Sequence, residues 1–527
     1  MKRHIIPATT LLMCATLFLA GCSLDEKLYT DPTPKDIKTQ DDIDLMAKGI
    51  YSELNDAAAF KMSGPLMIML TADDLYGDDN ANADWKAYGQ KEIDAASTGA
   101  FWDVMYRSIR NANYLLQFVS SPDVKYTFPD DATKEAFVNQ VVGEAYFVRA
   151  FCYYYLVRLY GRVPLRLEAT DVNSNFFLPR SDVEDVYAQI FRDLTVANAC
   201  LPVATAIPAT DLGRASKGAA QAIMASARLT FGNWLENNGK TGCEEQYSQC
   251  VQWCDSVLRQ ADAGTYALLD NWADLWDVNK ETGAYKEVLF GIRFSRDPIK
   301  SALASSGSEF CFRFLPNNMY GVTGNTGSTP AGNGDGSIRF HPYFYNDYIS
   351  NATYSNGRYT TYNDETTGDK LQLDYRLDRG FFTRWKNDNN GKMINCVPRV
   401  VVDAWARTDM TNNTGVPQTC TFSAKYVDGA GKDQRNNEND LFIIRLAEIY
   451  LLKAEALNEL NGPTQAAVDA FNAVRQRAQK ADGTARLYPK LLTLADVATR
   501  RPSECRYSTS AGWSLPAKAD GGSTWCV

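Results

Sequence analysis

Val138-Asn139-Gln140-Val141-Val142-Gly143-Glu144-Ala145-Tyr146-Phe147-Val148-Arg149-Ala150-Phe151-Cys152-Tyr153-Tyr154-Tyr155-Leu156-Val157-Arg158-Leu159 is the stretch on which the fold turns. Apolar side chains at 138, 141, 145, 148, 152, 155 and 159 recur at steps of three and four, which is one stripe on an α-helix. Asp130 and Asp131 offer N-caps, and Gly161 stands where a helix should stop. Val163-Pro164-Leu165 then breaks the period. Working outward, a second helix is expected from Ser181-Asp182-Val183-Glu184, with Ser181 as N-cap of a capping box. A third spans Gly213 to Trp234, rich in alanine and able to pack closely.

Near the other end, Leu441 to Leu460 reads as one helix. Asn461-Gly462-Pro463 ends it, and Thr464 caps a partner with Ala467, Phe471, Val474 and Ala478 on one face. Two helices joined so tightly fold back antiparallel, and the pair resembles one tetratricopeptide unit. Between these helical parts lies a different composition. From about Ser295 to Gly431 the chain is rich in Gly, Asn, Asp, Thr and Tyr, with loops such as Gly321–Gly327 and Gly332–Gly336. Long loops on a rigid scaffold are where binding residues gather. The expected fold is therefore mainly α, a tetratricopeptide-like helical scaffold carrying a large loop-rich insert.

The N-terminus reads as an export signal. Lys2 and Arg3 precede an apolar stretch from Ile5 to Ala20, too short to span a bilayer comfortably. Leu19-Ala20-Gly21-Cys22 resembles a bacterial lipobox, which makes Cys22 the expected acylated first residue of the mature chain. Acyl chains then provide the membrane attachment, and the acidic Asp25-Glu26 that follows resembles a surface-export signal.

The full chain has 54 basic and 63 acidic side chains, and loss of Lys2 and Arg3 leaves 52 against 63. No basic run is interleaved with aromatics, so nothing points to nucleic acid. Tyr is the commonest aromatic, at 28. Aromatic rings stack on sugar faces, although most of these tyrosines are expected to pack helices. Twelve cysteines show no metal-ligand spacing, and Cys243, Cys250 and Cys254 suit buried thiols or a disulfide.

Catalysis has little to work with. His341 is the one histidine left after signal removal, so multi-histidine zinc sites are excluded and a histidine triad nearly so, since it would have to use His341. Acids are plentiful, but no spacing marks a glycosidase pair. The expectation is a binder and not an enzyme.

Two segments stand out as ligand contacts. Asp73 to Asn80, followed by Trp85 and Tyr88, sets acids and amides beside aromatics, and Tyr320, Tyr343 and Tyr345 lie in the insert. The nominated residues are Asp73, Asn80, Trp85, Tyr88, Tyr320, Tyr343 and Tyr345. Asp78, Asn80, Asn82 and Asp84 alternate like calcium ligands. Ala83 replaces the usual Gly turn and Gly89 the bidentate Glu, so an Asx-rich turn competes with calcium, and no cofactor is expected otherwise.

Four blocks carry a family resemblance. They are Trp102 to Asn113, Gly143 to Leu165, Gly213 to Ala220, and Arg445 to Asn458, in order after the lipobox. The chain from Cys22 to about Ala478 resembles the SusD-like (RagB/SusD) outer-membrane nutrient-binding lipoproteins. The resemblance implies a cell-surface protein, lipid-anchored in the outer membrane. It would pass an oligosaccharide, polysaccharide or other nutrient to a SusC-like, TonB-dependent barrel, with its repeat units facing that transporter.

The expected organisation is a signal peptide over 1–21 and a helical part over 22–294. A ligand-facing insert over 295–439, the helical hairpin over 440–480 and an irregular tail over 481–527 complete it. The tail departs from the family, whose members end with a block like FEGRRWFDLVR. Encoded with suitable synonymous codons, Gly512 to Val527 yields LVFAGEGRRWFDLVR in a shifted frame, so the tail is expected to be a frameshift product. Sequencing the gene across the Arg500 codon decides it.

Overall fold

The computed structural model describes residues 37–72, 75–77, 81–171, 173–295, 307–316, 319–320, 334–340, 422–428, 436–480, 489 and 491–497, with short strands and positions 376 and 380 between 352 and 418. Its frame is helical: α1 (Gln40–Ser52), α2 (Ser63–Thr71), α3 (Ala83–Gln90), α4 (Ala95–Val119), α5 (Asp131–Tyr160), α6 (Val183–Cys200), α7 (Lys217–Asn237) and α8 (Cys243–Asp262). After the insert, which contributes the short α9 (Phe310–Phe314), come α10 (Leu446–Asn461) and α11 (Gln465–Lys480).

Helix α5 forms where its stripe requires. Asp130 Oδ1 accepts the Thr133 N–H at 2.7 Å, and Gly161 closes the helix at φ +70°. From Val141 to Val157 it is buried on nearly every face, while Leu159 emerges into solvent. The reason is its central place: α4 packs on α5, α5 on α6, α6 on α7, α7 on α8, and α8 on α10, which packs on α11. The row is thus continuous across the insert. Gly232 of α7 allows one close approach, since a Cβ there would lie 2.6 Å from the Tyr247 ring of α8.

Two helix starts differ from the sequence expectation. Helix α6 begins at Val183 with Asp182 as its N-cap residue and no side-chain cap bond, while the Ser181 N–H donates to the Val163 carbonyl at 3.0 Å. The third helix begins at Lys217, capped by Ser216 Oγ at 3.1 Å from Ala219 N, since Gly213 sits at φ +103° outside it.

Leu441–Leu460 is not one helix. Leu441–Arg445 is strand β4, paired antiparallel with β2 (Val288–Ile292), and both strands are fully buried. An apolar run with two β-branched isoleucines and both faces covered prefers extended backbone, and α10 starts only at Leu446. Phe290 of β2 stacks edge-on against Phe147 and Phe151 of α5, at 4.8 and 5.4 Å, which locks the strand pair to the central helix. The pairing joins the chain just before the insert to the chain just after it.

Asp440 seals this seam. Its carboxylate accepts the Phe294 N–H at 3.0 Å, Arg293 Nε–H at 3.1 Å and the Tyr285 hydroxyl at 3.2 Å. Its own N–H donates to Glu281 Oε1 at 3.0 Å. Burial, opposed by Arg293, pushes Asp440 up to about 6; burial, reinforced by the Asp440 charge, pushes Glu281 up to about 8. The folded state therefore keeps a proton that the unfolded chain releases in the ordinary carboxylate range. That stability is complete at low pH and is lost as pH rises through about 8. Glu281→Gln should flatten the decline in melting temperature between pH 6 and 9 and add about 1–2 kcal/mol at the alkaline end. A profile parallel to wild type would show that Glu281 does not hold the proton.

Candidate ligand-binding site

One of the two segments singled out in the sequence, through Leu75–Gly77, meets Ile338–Phe340 of the insert. Strand β1 (Leu75–Gly77) pairs antiparallel with β3 (Ile338–Phe340), with Leu75 opposite Phe340, Tyr76 opposite Arg339 and Gly77 opposite Ile338. The alternation is apolar, polar, apolar on both strands. Leu75, Ile338 and Phe340 are buried, whereas Tyr76 and Arg339 are half-buried and share the outer face. Arg339 is held there, its Nε–H donating to the Gly336 carbonyl at 2.9 Å and its guanidinium 5.3 Å from the Phe422 ring centre. A ring and a fixed guanidinium side by side can stack on one molecule and donate hydrogen bonds to it.

Beneath this ribbon lies an ionic hub. Arg313 of α9 pairs with Glu309 at 2.8 Å and with Asp335, and stands 4.8 Å from the ring centres of both Trp85 and Phe312. Asp335 in turn accepts the Ser337 N–H at 2.9 Å and hydroxyl at 2.7 Å, and its N–H donates to the Phe312 carbonyl at 2.8 Å. The hub therefore ties α3, α9 and the approach to β3 into one support.

Of the nominated contacts, Asp73, Asn80, Tyr343 and Tyr345 lie outside the described residues, as does Asp78. Tyr320 falls in the two-residue strand Met319–Tyr320, opposite Lys386. Trp85 and Tyr88 need correction: each is only 2% exposed. Both project from one face of α3 into the core, because a spacing of three places them together there. The Tyr88 hydroxyl donates to the Ser97 carbonyl at 2.6 Å, and burial with Asp84 and Asp94 nearby pushes its pKa up to about 12. Neither ring is presented to a ligand.

Asn82 acts as a helix cap, its Oδ1 accepting the Trp85 N–H at 2.9 Å, and Asp84 is exposed in the first turn of α3. Among the described residues no group of three or more His, Cys, Asp or Glu side chains could hold a metal ion. Cys243, Cys250 and Cys254 are free thiols, and burial pushes the Cys250 thiol well up, away from reactivity.

Tyr76, Arg339, Arg313 and Asp335 were not singled out from sequence. The signal was present for the first two: Leu75-Tyr76-Gly77 and Ile338-Arg339-Phe340 both alternate, but three residues are too few to read as strands unaided.

Residues 23–229 match a family profile described as "Starch-binding associating with outer membrane", and residues 286–502 match that of the SusD family. This chain is a SusD-like protein. SusD-like protein P2 of Formosa agariphila is 27% identical over 495 residues, 92% of this chain and 83% of that relative. SusD-like protein P25 of the same organism is 26% identical over 406 residues, covering 75% of this chain but only 64% of its own length.

Solved structures share the SusD-like fold. A SusD homolog from Bacteroides thetaiotaomicron has a TM-score of 0.66 at 19% identity, covering 88% of this chain and 82% of that one. A laminarin-binding SusD-like protein gives 0.62 at 20%, covering 88% and 87%. Surface glycan-binding protein A from Bacteroides uniformis gives 0.60 at 19%, covering 87% and 84%. The helical frame and the extended helix row are thus those of the family. Among the described residues no helix is long and apolar enough to cross a membrane.

Proposed function

We propose that this SusD-like chain is a cell-surface lipoprotein of the outer membrane that binds a glycan and hands it to a SusC-like, TonB-dependent transporter. The observation that carries the reading is the β1–β3 ribbon, which sets Tyr76 beside Arg339 on the outer face of a rigid helical scaffold. Aromatic stacking and charge-assisted hydrogen bonds are the two interactions that sugar rings accept best. The ligand site includes this ribbon and the insert over 295–439, whose Tyr320, Tyr343 and Tyr345 supply further rings, with Asp73 and Asn80 accepting hydroxyl protons. The protein binds and does not cleave, and it uses no cofactor. The starch-binding, laminarin-binding and glycan-binding descriptions of its relatives support a polysaccharide cargo.

Calorimetry against a panel of soluble polysaccharides tests this. Tyr76→Ala and Arg339→Ala should each weaken binding by about 1–3 kcal/mol, while the melting temperature stays near wild type and the polymer remains intact. A wild-type protein with no saturable binding to any glycan would sink the reading. Cys22 is the proposed acylation site, and Cys22→Ser should move the protein from the membrane to the soluble fraction; full retention would refute a lipid anchor.

A further inference from the structure

The clasp around Asp440 sits at the mouth of the insert, where the chain leaves β2 and returns to β4. Two carboxylates meet there around Arg293, which reaches Asp440 at 3.1 Å and Glu281 at 3.9 Å. Tyr285 and Glu438 also face the pair: the tyrosine hydroxyl donates to Asp440, and Glu438 adds its charge to the field at Glu281. The Asp440 side chain is fully buried and that of Glu281 largely so, whereas Arg293 is 39% exposed. Burial removes the water that would screen two like charges, so a proton on one of them keeps the contact closed.

Repulsion at the clasp cannot easily part the strands, because β2 and β4 are buried throughout and Phe290 packs on α5. It falls on the residues just outside them. Asn437 exchanges both backbone hydrogen bonds with Ser308, at 2.9 and 2.8 Å, and the Asn439 carbonyl accepts the Ser308 hydroxyl at 2.9 Å. The Glu438 N–H donates to Asp428 at 2.9 Å, and Asn436 Oδ1 accepts the Gly307 N–H at 2.7 Å. Asn439 Oδ1 is buried without a donor among the described residues, which weakens this neck. Ser308 leads through Glu309 into α9, where the Glu309–Arg313 pair supports the β1–β3 ribbon. A displacement of 436–440 is therefore passed to that support through Ser308.

We infer that Glu281 and Asp440 form a proton-operated latch between the helical scaffold and the insert: protonated, it holds the neck on Ser308 and the ligand site assembled, and deprotonated, it lets the neck open. The tie to the ligand rests on the ribbon being the glycan site. Burial, the main cause, raises Glu281 to about 8 and Asp440 to about 6. Opened to water, Glu281 returns to the ordinary carboxylate range, so opening between pH 6 and 8 releases one proton. The opening equilibrium then rises about tenfold per pH unit across that window and levels off above about 8.

Hydrogen exchange of the full chain, corrected for the intrinsic rate at each pH, tests the latch. Protection of the Ser308, Asn437, Glu438 and Asp440 amides should fall about a hundredfold from pH 6 to 8 and then stay level, while α5 keeps its protection. Glu281→Gln keeps an oxygen for the Asp440 N–H without the charge, and should hold the pH 6 level throughout. In Asp440→Asn the fall should level off at lower pH, since Glu281 loses a like charge. The polysaccharide that titrates in calorimetry at pH 6, added at about 100 times its Kd, should restore protection at pH 8 about a hundredfold. Constant protection from pH 6 to 8, an equal fall in α5, or a fall in Glu281→Gln matching wild type would overturn the latch. A bound polysaccharide that leaves the neck unprotected would overturn its tie to the site. Calorimetry decides the glycan reading separately, because exchange without ligand settles the latch even where no polysaccharide binds.

Discussion

Trp85→Ala is expected to lower the melting temperature sharply, at a cost of about 3–5 kcal/mol. The ring is buried, and it forms one wall against the Arg313 guanidinium, 4.8 Å from its centre. Removing it leaves a large cavity and strips Arg313 of an aromatic neighbour, while Glu309 and Asp335 still hold the cation in place. The support under the β1–β3 ribbon then loosens, so ligand binding should fall together with stability and not ahead of it. Trp85→Phe separates packing from contact: a smaller ring still faces the guanidinium, and most of the stability and binding should survive. If Trp85→Ala kept its melting temperature and lost glycan binding alone, the ring would be a ligand platform, and its buried placement would be wrong.

That case shows where the sequence was legible and where it was not. Helix α5 could be read because every cue is local: the Asp130 cap, the stripe and the Gly161 stop lie within one element. The same holds for the tight hairpin of α10 and α11, where Thr464 Oγ1 accepts the Ala467 N–H at 3.3 Å. Strand β4 was misread because its reason is distant. Leu441-Phe442-Ile443-Ile444-Arg445 becomes extended only against Val288–Ile292, about 150 residues earlier, and a window of a few residues cannot contain that partner. The candidate site was half legible. Composition pointed to the 73–80 segment and to the insert, and the ribbon joins Leu75–Gly77 of the one to Ile338–Phe340 of the other. It could not say which rings face outward, since Trp85 and Tyr88 lie beside acids in the chain but share the core face of α3. Their spacing of three was the available clue, and Tyr76, one strand position from the buried Leu75, is the ring of that segment on the outer face of the ribbon.

Arg149→Met is expected to destabilise the protein by about 3–5 kcal/mol, the cost of leaving one partner of a buried ion pair behind. Arg149 lies within the stretch that reads most clearly as helix, yet its charge has no role in the apolar stripe. Its guanidinium meets Asp193 twice, through Nε at 2.8 Å and Nη2 at 2.7 Å, and its third nitrogen donates to Asn113 Oδ1 at 2.8 Å and to the Leu167 carbonyl at 2.9 Å. Methionine fills similar length but leaves the Asp193 carboxylate with Gln189, at 2.7 Å, as its remaining side-chain partner. Burial already pushes Asp193 upward against the pull of Arg149, and without the cation it rises further. A raised carboxylate holds its proton in the folded state, so the deficit of the variant should shrink as pH falls toward the ordinary carboxylate range. Adding Asp193→Leu should recover much of the loss, because an apolar pair avoids the stranded charge. Hydrogen exchange offers an independent readout. The 164–170 segment, freed from one of its donors, should exchange faster in both variants, whereas α7 and α8 should be unchanged. Equal melting temperatures for wild type and Arg149→Met would show that the pair contributes nothing. Unchanged exchange in the loop would show that Arg149 stabilises the helices without fixing the loop between α5 and α6.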